Sequence, residues 1–169
     1  VAHCSNIQCS SATITTLDST GAVGTYASIT IGSDGLGLIS YFDNTNDNLK
    51  VAHCLNTACT SAGLSSIDTA GDVGRYASIT TGVDGLGLIS YYNATGGDLR
   101  VAHCSNVTCS TATISTVDST GLDTGLYTSI TIGIDGLGII SYFDSYYNSL
   151  RVGHCATLQC TSLASTTLD

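Results

Sequence analysis

A tetrapeptide that returns at a fixed interval dictates most of what this chain can become. Val1-Ala2-His3-Cys4 recurs as Val51-Ala52-His53-Cys54 and Val101-Ala102-His103-Cys104, then as Val152-Gly153-His154-Cys155. The first two 50-residue units agree at 28 of 50 positions, and the third carries one extra residue in the Gly121 to Leu126 stretch. A period of roughly 20–50 residues marks a solenoid, propeller or array, in which one unit cannot bury its own apolar face and needs a neighbour. The 169 residues therefore read as a single repeat array. Residues 1–18 form a partial unit of two strands, followed by units 19–68, 69–118 and 119–169.

One unit contains four strand signals. Tyr26 to Ile31 alternates and is partly β-branched, and Ser33-Asp34-Gly35 after it is a hairpin signature. Leu36 to Phe42 is an apolar run too short for a helix, which predicts a strand buried on both faces. Asp43 to Asn48 is a polar loop, Leu49 to Cys54 a third strand, and Cys59 to Asp68 holds a fourth. No segment keeps a 3.6-residue period, so the fold class is all-β, with four antiparallel strands per repeat as in a β-propeller blade. A β-solenoid with long coils is the alternative.

Tyr26, Ser28, Ile29, Asp34, Gly35, Leu36, Ile39, Ser40, Tyr41, Asp43 and Leu49 through Cys54 together resemble the blades of secreted bacterial propellers of the sialidase-like type. The resemblance covers the whole chain and implies the blade rather than an activity. The Ser-x-Asp-x-Gly-x-Thr-Trp box of sialidases is not met, since the chain contains no Trp. Propellers close with typically about four to eight blades. Three units and a two-strand hairpin do not reach that number. The expectation is that the chain pairs with a copy of itself, continues beyond these residues, or polymerises through open strand edges.

Composition narrows the partners. Net charge is −9, all thirteen acids are Asp, and the cations are Lys50, Arg75, Arg100 and Arg151. Phosphate recognition requires clustered Lys and Arg, so nucleic acid is disfavoured, as is docking on anionic lipid. No run of about 18 apolar residues exists for membrane insertion. The chain opens inside a repeat with no secretion signal, as expected of a mature product or a piece of something longer. Its eight cysteines fall as Cys4/Cys9, Cys54/Cys59, Cys104/Cys109 and Cys155/Cys160. An even count at one spacing predicts four disulfides and an extracellular or cell-surface location. A four-residue connection is expected to set each pair face to face. Zinc is disfavoured because His3 and Cys4, adjacent on a strand, point to opposite faces. No metal or cofactor is assigned. Asn93-Ala94-Thr95 and Asn106-Val107-Thr108 match the N-glycosylation pattern.

The remaining polar residues have repeat-wide explanations. His3, His53, His103 and His154 are expected to be packed imidazoles bonded to neighbouring backbone. Asp18, Asp68, Asp118 and Asp169 end the fourth strand and suit Asx turns, while Asp34, Asp84 and Asp135 belong to the hairpins. Asp43 and Asp47 lie in an oxygen-rich loop and are weak calcium candidates. A catalytic site should break the repeat, and the breaks (Gly121 to Leu126, Tyr146-Tyr147, Arg75, Thr81) gather no acid, base and nucleophile. The sequence therefore predicts no enzyme, but a non-catalytic structural block of an extracellular filament, sheath or layer. The alternative is a carbohydrate-binding or adhesion propeller contacting glycans through Tyr41, Tyr91, Tyr142, Tyr146 or Tyr147.

Overall fold

The computed structural model describes residues 1–120 and 122–168. A short hairpin, β1 (Ala2–Cys4) and β2 (Ala12–Ile14), precedes three four-stranded antiparallel sheets. The first sheet is β3 (Val23–Ile31), β4 (Gly37–Asp43), β5 (Asn48–Cys54) and β6 (Ala62–Asp68). The second is β7 (Val73–Thr81), β8 (Gly87–Asn93), β9 (Asp98–Cys104) and β10 (Ala112–Asp118). The third is β11 (Thr124–Ile132), β12 (Gly138–Asp144), β13 (Ser149–Cys155) and β14 (Leu163–Thr167). Each sheet is ordered as in sequence, and the first strands β3, β7 and β11 pack side by side while the last strands splay apart. These are propeller blades, with β3, β7 and β11 facing the axis. The predicted second strand is the most buried: every residue of β4 and β8 is buried, as a strand packed on both faces must be.

Glycine sets how closely the blades approach. A Cβ on Gly74 would lie 2.6 Å from the Leu49 Cα of the preceding blade, and one on Gly125 would lie 2.7 Å from the Leu99 Cβ. Leu49 and Leu99 are fully buried as a result. Each junction is then locked by a polar clamp. Asp18 accepts from the Tyr41 hydroxyl at 2.8 Å and from Lys50 Nζ at 2.5 Å. Asp68 accepts from Tyr91 at 2.7 Å and lies 3.1 Å from Arg100 Nη1. Asp118 accepts from Tyr142 at 2.5 Å and lies 3.1 Å from Arg151 Nη1. Their other oxygens cap the expected turns, Asp68 Oδ1 accepting from the Ala70 N–H at 3.0 Å. One turn carboxylate thus performs a second task that strand pattern alone does not reveal: it neutralises a cation inside the next blade. Asp169, the last of the series, lies outside the described residues.

Two local expectations need correction. The histidines bond to carboxylates, not backbone: His53 Nε2 donates to Asp34 at 2.7 Å, His103 to Asp84 at 2.8 Å and His154 to Asp135 at 2.9 Å. Pairing of the second and third strands of a blade carries each imidazole to the hairpin turn. The four disulfides form, with Cα–Cα distances of 4.8 Å for Cys4–Cys9 and 4.9 Å for Cys54–Cys59, Cys104–Cys109 and Cys155–Cys160. They do not bridge facing strand positions, however. The ladder partner of Cys54 is Ala62, and Cys59 lies inside the loop. A turn closed by the Cys59 N–H to Asn56 carbonyl bond, with Cys59 at φ 51°, folds the second sulfur back to the first. Four disulfides are the chemistry of an oxidising environment.

Candidate functional site

Antiparallel order puts the loops leading into each blade at the same end as those between its second and third strands. Hydrogen bonds tie the two sets together: Val73 N–H to Asp47 carbonyl at 3.0 Å and Thr124 N–H to Gly97 carbonyl at 3.1 Å. At this end the axial strands do something unusual. Gly24, Gly74 and Gly125 take φ of 97°, 105° and 101°, and two residues later Tyr26, Tyr76 and Tyr127 take φ of 54°, 57° and 53°. The ladder slips at each place, between Thr25 and Ser28 and between Arg75 and Ser78, for example. A bulky aromatic in the left-handed region is strained by about 1–3 kcal/mol, and such strain persists only where its surroundings enforce it. Here it turns three equivalent tyrosines onto one surface.

The three rings form a continuous arc. Tyr26 and Tyr76 have centroids 4.5 Å apart, and Tyr76 and Tyr127 4.4 Å apart, tilted by 52° and 48°. A second row backs them, with Phe42 6.2 Å from Tyr26 and Tyr92 6.3 Å from Tyr76. The Tyr76 phenol is pushed up to about 12, by burial first and then by the hydroxyls of Tyr127 and Tyr26. It therefore stays protonated and able to donate at any physiological pH. Tyr127 remains largely exposed.

Polar groups line the arc. Arg75 grips Asp72 with two bonds, Nε to Oδ1 at 2.8 Å and Nη2 to Oδ2 at 2.5 Å, and its guanidinium lies 5.4 Å from the Phe42 ring. The hydrogen bonds that Arg75 donates to Asp72 hold it charged against its burial. Tyr92 donates its hydroxyl to Asp123. Exposed aromatic faces beside hydroxyls, carboxylates and a satisfied guanidinium can stack on a flat apolar ring face and hydrogen-bond its rim. Among the repeat breaks, Arg75 and the described part of the Gly121 to Leu126 insertion, Leu122 to Leu126, lie here; Gly121 itself lies outside the described residues.

The residues singled out by sequence distribute differently from expectation. Tyr41, Tyr91 and Tyr142 are buried at the blade junctions, and burial followed by the adjacent carboxylate raises each phenol above its ordinary value. They are clamp residues, and Tyr91 and Tyr142 have no face left for a ligand. Tyr146 and Tyr147 are exposed, packed edge to face at 4.8 Å on the same end of the blades as the arc. Asp43 uses its oxygens on the Thr45 and Asn46 N–H groups and the Asn46 side chain, so it caps its own loop. Asp47 offers its carbonyl to Val73. Neither joins a cluster of metal-ligating side chains among the described residues. Asn93 is buried against Asp98, closing one glycosylation pattern to an enzyme in the folded state. Sequence reading did not single out Tyr26, Tyr76 and Tyr127 as candidate contact residues. The signal was a Gly-x-Tyr at the start of each blade, which alternation alone reads as ordinary strand.

No protein-family model matches the sequence. No curated protein matches it either. Solved structures do share its fold. An alpha-L-arabinofuranosidase from Lactobacillus brevis superposes with a TM-score of 0.55 at 11% identity, over 86% of this chain and 54% of that one. A second alpha-L-arabinofuranosidase, from Clostridium thermocellum, gives 0.58 at 13%, over 87% and 52%. An exo-beta-1,3-galactanase from Clostridium thermocellum gives 0.59 at 10%, over 89% and 39%. The chain thus spans about half the length of the first two. These neighbours overturn the expectation of a non-catalytic structural block and the exclusion of an enzyme. Both rested on repeat breaks that gather no acid, base and nucleophile, whereas these neighbours build glycosidases on blades of this kind. At such low identity the likeness establishes the fold: the chain is a tandem array of four-stranded β-propeller blades, of the arrangement found in glycoside hydrolase family 43.

Proposed function

We propose that this chain is the propeller region of a secreted carbohydrate-active protein, and that the tyrosine arc at the axial end is where a glycan is held. The observation that carries the reading is the strained, threefold-repeated presentation of Tyr26, Tyr76 and Tyr127 beside Arg75, Asp72 and Asp123. Sugars are recognised by stacking of their C–H faces on aromatic rings with hydrogen bonds around the edge, and the arc supplies both. The glycoside-cleaving neighbours support the same assignment through the shared fold. The ligand is a neutral sugar. Net charge is −9 and the guanidinium of Arg75 is already taken by Asp72, so an anionic sugar of the kind a sialidase acts on finds no cation here. Exposed Asp47 and Asp123 are the carboxylates available for acid–base work at the mouth. The four disulfides support an extracellular site of action.

The test is affinity electrophoresis and hydrolysis on arabinan, galactan and xylan, comparing the chain with Tyr127→Ala. Retardation by one of these polymers that Tyr127→Ala abolishes supports the arc as the site. Release of reducing sugar lost in Asp123→Asn would assign cleavage to it. Equal retardation of the parent and Tyr127→Ala would remove the proposal.

A further inference from the structure

A second feature, independent of the arc, specifies a partner. In each complete blade the third strand is paired on both edges, β5 by β4 and β6, for instance. Among the described residues its counterpart β1 is paired on one edge only, with β2. Beside that open edge lies an apolar groove formed by Val1, Val23, Ala27, Ile29 and Ile39. The repeat itself says what such a groove accepts. Ile29 is 58% exposed, whereas its equivalents Ile79 and Ile130, each covered by the inner strands of the preceding blade, are 6% and 7% exposed.

We propose that this groove binds one occupant, a β-hairpin with the chemistry of the repeat's own inner half, from a further unit of this type. Three side-chain positions define that chemistry. Histidines 53, 103 and 154 each bond to the Asp of their blade's hairpin, at 2.7, 2.8 and 2.9 Å, while His3 has no such partner among the described residues. The incoming turn must bring an Asp. A Cβ on Gly37, Gly87 or Gly138 would fall 2.8, 2.8 and 2.9 Å from the sulfur of Cys54, Cys104 and Cys155. The incoming second strand must place Gly against Cys4. Finally, Leu38 and Leu88 seat their side chains 2.8 and 3.0 Å from where a Cβ on Gly87 and Gly138 would be, so the residue after that Gly must be a Leu that fits over Gly37. Asp-Gly-Leu-Gly-Leu, present in the first two blades, meets all three demands at once. Main-chain pairing to the β1 edge supplies affinity and these positions supply register, which is strand addition to an exposed edge.

The probe is a synthetic peptide of residues 73–93, titrated into the chain and read by calorimetry and by amide exchange of β1. Saturable one-to-one binding, on the order of micromolar because the hairpin must order as it docks, is expected. Asp84→Asn in the peptide or His3→Ala in the chain should weaken it about tenfold, as loss of one charge-assisted bond does. Gly87→Val in the peptide should abolish it. Binding no tighter than a scrambled peptide, or binding indifferent to all three changes, overturns the proposal. So does a concentration-dependent dimer that the peptide cannot displace, since a second copy would then be the occupant. A fusion of residues 73–100 ahead of Val1 gives a check that does not depend on peptide solubility. It should raise Tm, and Ile29→Asp should be tolerated in the parent chain but reverse that gain in the fusion. A fusion that melts with the parent also refutes the idea.

Discussion

Removing the carboxylate of Asp68 tests whether blade junctions are held by clamps or by apolar packing alone. Asp68 ends β6 and reaches into the next blade, where it accepts from the Tyr91 hydroxyl at 2.7 Å and pairs with Arg100 at 3.1 Å. Tyr91 is wholly buried, so Asp68→Ala leaves a phenol donor without an acceptor, at about 1–3 kcal/mol. Arg100 keeps Asp98 at 3.3 Å, which limits the electrostatic loss. The Ala70 turn bond at 3.0 Å also goes, for about 1 kcal/mol more. The sum is about 2–4 kcal/mol. Tyr91→Phe removes the donor together with its need for an acceptor and should cost about 1 kcal/mol. In the double variant the orphaned donor is gone, so its loss must be less than that of Asp68→Ala plus Tyr91→Phe. Urea denaturation gives the magnitudes, and amide exchange of β7 and β8 should show the weakening confined to the junction between the first and second four-stranded sheets. Equal losses for Asp68→Ala and Tyr91→Phe would refute the reasoning, because they would mean that the buried hydroxyl finds another partner.

Four further outcomes are expected. Asp18, Asp43 and Asp118 are held below their ordinary value of 3.8, burial opposing but hydrogen bonds prevailing, and Asp34 is lowered chiefly by the Leu36 N–H. A depressed folded value stabilises above the unfolded one, so urea midpoints should be flat from neutrality down to about pH 5 and fall below about pH 4; a decline that begins above pH 6 contradicts this. Gly74→Ala should destabilise by more than about 3 kcal/mol, because its Cβ meets Leu49 backbone at 2.6 Å, whereas Gly24→Ala, with nothing within 4 Å, bears only the positive-φ strain of about 1 kcal/mol. Closing the Cys54–Cys59 loop contributes roughly 2 kcal/mol, which Cys54→Ser with Cys59→Ser should lose in melting experiments. Intact mass without reductant should show no alkylatable thiol, since all eight cysteines are paired.

Much of the architecture was legible before any coordinates. Period, alternation and the Asp-Gly turns located the strands of each blade to within a few residues, because these are local consequences of side-chain pattern and turn chemistry. The Cys-x4-Cys spacing likewise gave the disulfides, although not the left-handed turn that closes them. The site was not legible in the same way. Tyr41 lies in an apolar run and Tyr26 opens an alternating strand, and nothing local says that the first is sealed in a junction while the second faces the axis. That difference arises from a bulge, which shifts strand register without leaving a signature in alternation.

What the sequence determined by itself is the repeating unit, since each unit's strands and turns depend on contacts a few residues apart. Tertiary structure decided which groups meet between units. Asp68 finds Tyr91 and Arg100, three tyrosines 50 or 51 positions apart become one aromatic arc, and His3, among the described residues, lacks the carboxylate its counterparts possess. Those relations depend on the angle and distance between blades, fixed by glycines at the points of closest approach, and an angle between sheets is not written in any single stretch of chain.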